Sequence, residues 1–340
     1  MSVKALLKPG ATTLAVMTKT TLVTAALAAL MIPWAAQALD PSLPAYRPLE
    51  TLSGHLKSVG SDTLGHEMEA WAKGFEKLYP DVKVEIEAAG SATAPLALLE
   101  GRSQFGPMSR PMTAEETAAF QGKYGYKISS FRVAVDALAV YVNKANPVAC
   151  LTLPQLSSIF SSNRKTPGSG DIRTWGDLGL AGEWARQPIT LYSRNTLSGT
   201  YEYFRETALY GGDYKPEIKQ QSGSEAVVQA VAADKFAIGY SGIGYKNEGV
   251  RAVPLASYYG GTCHEASAEA TLSGKYPIAR YLYVYLNRKP GQPLDALRAE
   301  FVKYVLSKDG QEQTERSGFF PITNEIRDSD LSKLGISPGS

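Results

Sequence analysis

Histidine is scarce in this chain: three residues among 340, His55, His66 and His264, stand far apart and none has the spacing of a metal-ligand pair. No metal site is expected. The balance of 35 Lys and Arg against 33 Asp and Glu leaves no strong charge of either sign, which argues against nucleic acid as a partner. There is no P-loop and no dinucleotide fingerprint, so no cofactor is expected. Gly239-Tyr240-Ser241-Gly242-Ile243 lacks the final glycine of a nucleophile elbow, and the carboxylate pair Glu115 and Glu116 fits a helix N-terminus better than acid–base machinery. Without nucleophile, base or metal, the chain reads as a binder and not as an enzyme.

Apolar runs of membrane-spanning length are also lacking. Lys4, Lys8 and Lys19 precede an apolar stretch from Leu22 to Ile32, no acid occurs before Asp40, and Ala36-Gln37-Ala38 forms an A-x-A cleavage site. This is the pattern of a secretory signal peptide over residues 1–38; the run is too short for a bilayer span, and Pro33 interrupts its end. Cleavage after Ala38 would remove the three lysines and leave a nearly neutral chain of about 300 residues, long enough for two lobes. Export also reaches a compartment where disulfides persist. Cys150 and Cys263, the two cysteines, can form one bridge, with two buried free thiols as the alternative.

The rest of the chain alternates strand and helix patterns. Leu64, Met68, Trp71, Phe75 and Leu78 recur at helical spacing after Gly60-Ser61-Asp62-Thr63, and Val82, Val84 and Ile86 then alternate with charges as a half-buried strand. Gly90-Ser91-Ala92-Thr93 opens a second helix, and Thr113-Ala114-Glu115-Glu116 is a capping box after the turn Gly106 to Met112. Two long apolar strands, Phe131 to Asn143 and Ile278 to Asn287, mark where the chain leaves a first lobe and returns to it. Between them lie helices near 153–160 and 224–233; Pro293 to Ser307 reads as the final amphipathic helix. The class is α/β.

The chemistry gathers at the turns. Leu191 to Tyr201 places Arg194, Ser198, Gly199 and Thr200 where a strand passes into a helix, so that free N–H groups, hydroxyls and a planar guanidinium suit an oxyanion. Ser61 to Thr63, Ser91 to Thr93 and Ser109 to Arg110 repeat the plan in the first lobe. Such turns fall at the rim of an open α/β sheet, where ligands bind, and closure of two lobes would bring all four onto one small anion.

In order along the chain, Gly60-Ser61-Asp62-Thr63, Gly90-Ser91-Ala92-Thr93, Met108-Ser109-Arg110-Pro111-Met112, Leu138 to Asn143, Leu151 to Leu156, Arg194 with Ser198-Gly199-Thr200, and Ala237-Ile238-Gly239-Tyr240 resemble the periplasmic phosphate-binding proteins of phosphate ABC transporters. The resemblance runs from about Val59 to Phe320. It implies a two-lobed flytrap of the type II periplasmic binding proteins, each lobe a mixed sheet flanked by helices and joined by two crossover strands. Residues 39–137 with 282–340 would form lobe 1, and 138–281 lobe 2. It also implies a monomer, periplasmic or secreted, that captures inorganic phosphate for an inner-membrane permease. Thr63 with the Leu64 N–H, Ser91, Arg194, Ser198, Gly199 and Thr200 are then the donors to phosphate, with Ser61 beside them. Where better-known members carry an aspartate that accepts the proton of bound phosphate, this chain has Ser109 followed by Arg110, and Thr196 replaces an acid that steadies the arginine. Asp62 is therefore expected either to accept that proton or simply to cap its helix, and Arg110 to add a second cation. Sulfate or molybdate is the alternative ligand, and a scavenging or surface-interaction protein without a permease the alternative role.

Overall fold

A computed structural model describes residues 39–49, 51–166 and 170–338; the expected signal peptide lies outside the described residues. Strands β1 (Gly54–Val59) and β2 (Val82–Glu87) pair in parallel on either side of helix α1 (Gly65–Leu78). The helix buries Met68, Trp71, Ala72 and Phe75 along one stripe, as their spacing predicts. Helix α2 (Thr93–Glu100), strand β3 (Gly106–Met108) and helix α3 (Ala114–Tyr124) follow. The capping box of α3 is formed: the Thr113 hydroxyl accepts the Glu116 N–H, and the Glu116 carboxylate accepts the Thr113 N–H.

Strand β4 (Ser129–Asn143) is 15 residues long and changes partner along its length. Past it come β5 (Leu151–Thr152), α4 (Leu153–Phe160), β6 (Thr190–Arg194), α5 (Gly199–Thr207), β7 (Lys219–Gln221), α6 (Ser224–Ala233), β8 (Ala237–Gly242), β9 (Val250–Ala252), β10 (Leu255–Ala256), α7 (Ala268–Leu272) and β11 (Ala279–Leu286). The first part of β4 pairs antiparallel with β11 and the second part with β8, giving the strand order β3-β11-β4-β8-β6-β7, with β9 also on β4. One mixed sheet thus joins two large cores, with two smaller apolar clusters beside them. Met68, Trp71, Phe75, Phe131, Leu282 and Phe301 belong to one large core, and Leu138, Val140, Phe160, Phe204, Tyr240 and Ile278 to the other. The change falls between Ala134 and Ala137 on β4 and between Ile278, just before β11, and Leu282 on β11. In the second region Cys150 and Cys263 are disulfide-bonded, tying the segment before β5 to the one after its parallel partner β10.

The helical end of the chain is longer than its apolar pattern predicts. After α8 (Ala296–Leu306) come α9 (Lys308–Arg316) and α10 (Asn324–Lys333). Ser307 ends one helix and caps the next, its hydroxyl accepting the Gly310 N–H. The buried face of α9 is Gly310, Gln311 and Thr314, and Gln311 donates to the Val133 and Val305 carbonyls while accepting the Ile322 N–H. A polar buried face leaves no apolar periodicity to read.

Candidate anion-binding site

Four turns meet where the two cores face each other. The chain leaves β1 at Gly60 and enters α1 through Ser61, Asp62, Thr63 and Leu64; Gly60 donates to the Glu87 carbonyl and Ser61 to that of Pro107, which binds the first turn to β2 and β3. The second turn is seated on the first by the bond from Gly90 N–H to Gly60 O. Gly90 adopts φ +117°, and a Cβ there would meet the Leu197 carbonyl oxygen at 2.6 Å, so glycine is required both by conformation and by approach. From the other side, Gly199 presses on Ser91 and Ser109: a Cβ on it would lie 2.5 Å and 2.8 Å from their hydroxyl oxygens.

Hydroxyls crowd the junction. Thr63 Oγ1 and Thr200 Oγ1 are 2.8 Å apart across the two regions, and Ser91 Oγ lies 3.1 Å from Ser109 Oγ while accepting the Ser109 N–H. Ser61, Thr63, Leu64, Ser91, Ser109, Arg194, Ser198 and Thr200 are all buried. Two buried polar atoms here, Ser61 Oγ and Arg194 Nε, have no protein partner, which is costly unless something else supplies one. The helix ends point the same way. Helices α1, with Leu64 at its N-cap, α2, with Ala92, and α6, with Gly223, have no side-chain cap of their own, whereas α3, α4, α5, α7, α8, α9 and α10 do. Uncapped N-termini offer N–H donors and the positive end of the dipole to an anion.

Arg194 ends β6 with only 1% of its side chain exposed. Its Nη2 lies 3.0 Å from Asp62 Oδ1 and its Nη1 donates to Ser224 Oγ at 2.6 Å. Burial pushes its pKa below the ordinary arginine value, and Asp62 opposes this only in part. Asp62 Oδ1 also accepts the Ser224 N–H at 2.8 Å, the first amide of α6. An acid that meets the arginine therefore comes from the opposite region: Asp62, expected to accept the ligand's proton or to cap its helix, has its Oδ1 engaged by Arg194 and the Ser224 amide. Asp62 does not cap its own helix, since Leu64 holds that position without a side-chain bond. Ser198 caps α5, accepting the Thr200 and Tyr201 N–H groups.

Arg110 is not brought into the cluster. Its guanidinium makes a two-pronged pair with Glu116 at 2.8 Å and 2.7 Å, and its Nε lies 2.6 Å from Glu202 of α5. Burial depresses its pKa, but Glu116 and Glu202 outweigh that and hold it above the ordinary value. Two carboxylates thus surround the cation expected from the sequence as the second charge.

Three further residues take part without any local motif of their own. Arg280 on β11 donates Nε and Nη2 to Asp136 Oδ2 at 3.0 Å and 2.8 Å, Nη1 to the Ser109 carbonyl at 2.8 Å, and Nη2 to Thr200 Oγ1 at 2.9 Å. Asp136 on β4 faces it in strand register and accepts the Ile243 N–H. Tyr245 donates its hydroxyl to the Asp62 and Thr63 carbonyls. A charge within each of the two long apolar strands was the available signal, because buried charges need partners.

Comparison with known proteins gives a consistent set of likenesses. A PBP superfamily domain model matches residues 47–309. The phosphate-binding protein PstS of Pseudomonas aeruginosa is 48% identical over 302 residues, covering 89% of this chain and 94% of that one. PstS of Staphylococcus saprophyticus is 30% identical over 285 residues, covering 83% and 84%. Among solved structures, a Clostridium perfringens protein described as a phosphate ABC transporter substrate-binding protein with bound phosphate is 28% identical, with a TM-score of 0.66 over 79% of this chain and 100% of that one.

Proposed function

The chain belongs to the PBP superfamily and, within it, to the family of the phosphate-binding protein PstS, and from that premise we propose that it captures inorganic phosphate for an ABC permease. The ligand is held at the junction of the four turns, by Arg194 and the hydroxyls of Ser61, Thr63, Ser91, Ser109, Ser198 and Thr200, with the Leu64 and Gly199 backbone. The observation that carries this reading is the pair of buried atoms without protein partners, Arg194 Nε and Ser61 Oγ, set among hydroxyls and two uncapped helix ends.

Residues 39–137 with 282–340 act as one lobe and 138–281 as the other, hinged on β4 and β11. Closure brings Thr63 to Thr200 and Asp62 to Arg194, so that the anion exchanges its hydration for fixed donors in a water-poor cleft. A permease then reads the closed form, in which surfaces of both lobes are juxtaposed. The working protein is an extracytoplasmic monomer released by cleavage near Ala38, and its role is to bind and deliver rather than to convert. Because Asp62 is engaged by Arg194, sulfate is the competing ligand. Titration calorimetry with phosphate and sulfate side by side tests the reading: tight phosphate binding supports it, and binding of neither anion refutes it.

A further inference from the structure

On the reading of this junction as the phosphate site, we propose that Arg280 is a positioning residue that fixes the polarity of the Thr200 hydroxyl. The Arg280 Nη2–H occupies a lone pair of Thr200 Oγ1 at 2.9 Å. A hydroxyl that accepts from a cation must turn its own hydrogen away from it. Thr200 turns its one hydrogen away from the guanidinium, and with its second lone pair taken by the Thr63 hydroxyl, 2.8 Å away, that hydrogen is left for the anion. Ser91 is constrained in the same way, since its oxygen accepts the Ser109 N–H at 3.0 Å. Two hydroxyls from opposite regions thus present hydrogens to a ligand. Such a ligand is favoured when its oxygens are unprotonated.

Arg280 is itself immobile. Its side chain is 2% exposed, its fork spans Asp136, Thr200 and the Ser109 carbonyl, and its guanidinium carbon lies 5.4 Å from the centre of the Tyr203 ring. It reaches from β11 to the turn after β3 on one side and to the start of α5 on the other. The polarity is therefore set only when both regions are in place.

Phosphate titrations of the wild type, Thr200→Val, the charge-neutral double variant Arg280→Met with Asp136→Asn, and the triple variant test this at pH values above and below the second ionisation of phosphate. The Asn oxygen can still accept the Ile243 N–H, which protects the fold. The double variant is expected to lose about tenfold in affinity above that ionisation and under about threefold below it, and to lose little in the Thr200→Val background. Arg280→Lys, which keeps the charge beside Asp136, gives an independent arm; it should recover part of the affinity and of the pH ratio. An equal loss in both backgrounds, or an unchanged pH ratio in both arms, overturns the proposal. Failure of the wild type to bind phosphate would instead strike the reading on which it rests.

Discussion

Arg194 and Arg110 both stand at hydroxyl-bearing turns beside the junction, and both are largely buried, yet their guanidiniums are engaged differently. Arg194 meets one carboxylate, Asp62, and keeps a buried Nε without a protein partner. Arg110 Nε also makes no hydrogen bond, but it lies 2.6 Å from a Glu202 carboxylate oxygen while Glu116 takes the two ends of the fork, so Arg110 meets two carboxylates. Their pKa directions follow: burial prevails at Arg194 and lowers it, whereas the two acids prevail at Arg110 and raise it. A buried arginine attracts a ligand to the extent that the protein leaves it unanswered. Position next to a binding turn does not decide the matter.

The difference can be broken most directly at Arg194. Arg194→Ala should weaken phosphate binding by about 2 to 5 kcal/mol, because the anion and Asp62 both lose a buried cation. Calorimetry reads this; affinity within about threefold of wild type would remove Arg194 from the site. Asp62→Asn should cost less, about 1.5 to 3 kcal/mol, the range for a hydrogen bond to a charged group. In that variant the ratio of phosphate to sulfate affinity should stay constant if Asp62 is only an anchor, and a large change in the ratio would restore it as an acceptor of the ligand's proton. Arg110→Gln should change phosphate affinity by less than about threefold, with thermal unfolding recording about 1 kcal/mol from the weakened pair with Glu116. A loss as large as that of Arg194→Ala would erase the contrast between the two arginines.

Much of the site can be read from short-range pattern. Ser198-Gly199-Thr200 lies just past a strand and at a helix start, and the structure puts it there because Ser198 caps α5. Thr63 and Ser91 also lie just before helix starts, although neither caps its helix. What escapes is pairing over distance: Asp136 and Arg280 are 144 positions apart and meet only because β4 and β11 are register partners, and Asp62 finds Arg194 only when the two regions touch. Arg110 is instructive in another way. The capping box at Thr113 was visible, but a box places its glutamate where an arginine six residues upstream can fold onto it, and Glu116 serves both partners. In α9 the failure has a third cause, since Gln311 and Thr314 occupy core positions that an apolar residue would have announced.

The smallest expected effect probes the outer half of the Arg110 contact. Glu202 is 37% exposed and belongs to α5, so its pair with Arg110 joins the two regions at the solvent edge of the cleft. Removing it by Glu202→Gln leaves Arg110 held by Glu116 and costs little in the folded state. If the lobes close as proposed, what it removes is a contact made on closure, and the change should appear as faster phosphate release, by about two- to fivefold, the range of an exposed ion pair. Salt separates this from the inner contact. Exposed charges are screened within about 8 Å at physiological ionic strength, so the effect of Glu202→Gln should fade as salt is raised, while the loss caused by Asp62→Asn, made beside the buried Arg194, should persist. Stopped-flow release measured across a salt series decides it: equal salt dependence for the two variants would mean that the edge and the interior of the cleft are electrostatically alike, and that the number of carboxylates around each arginine, rather than its depth, sets its part in binding.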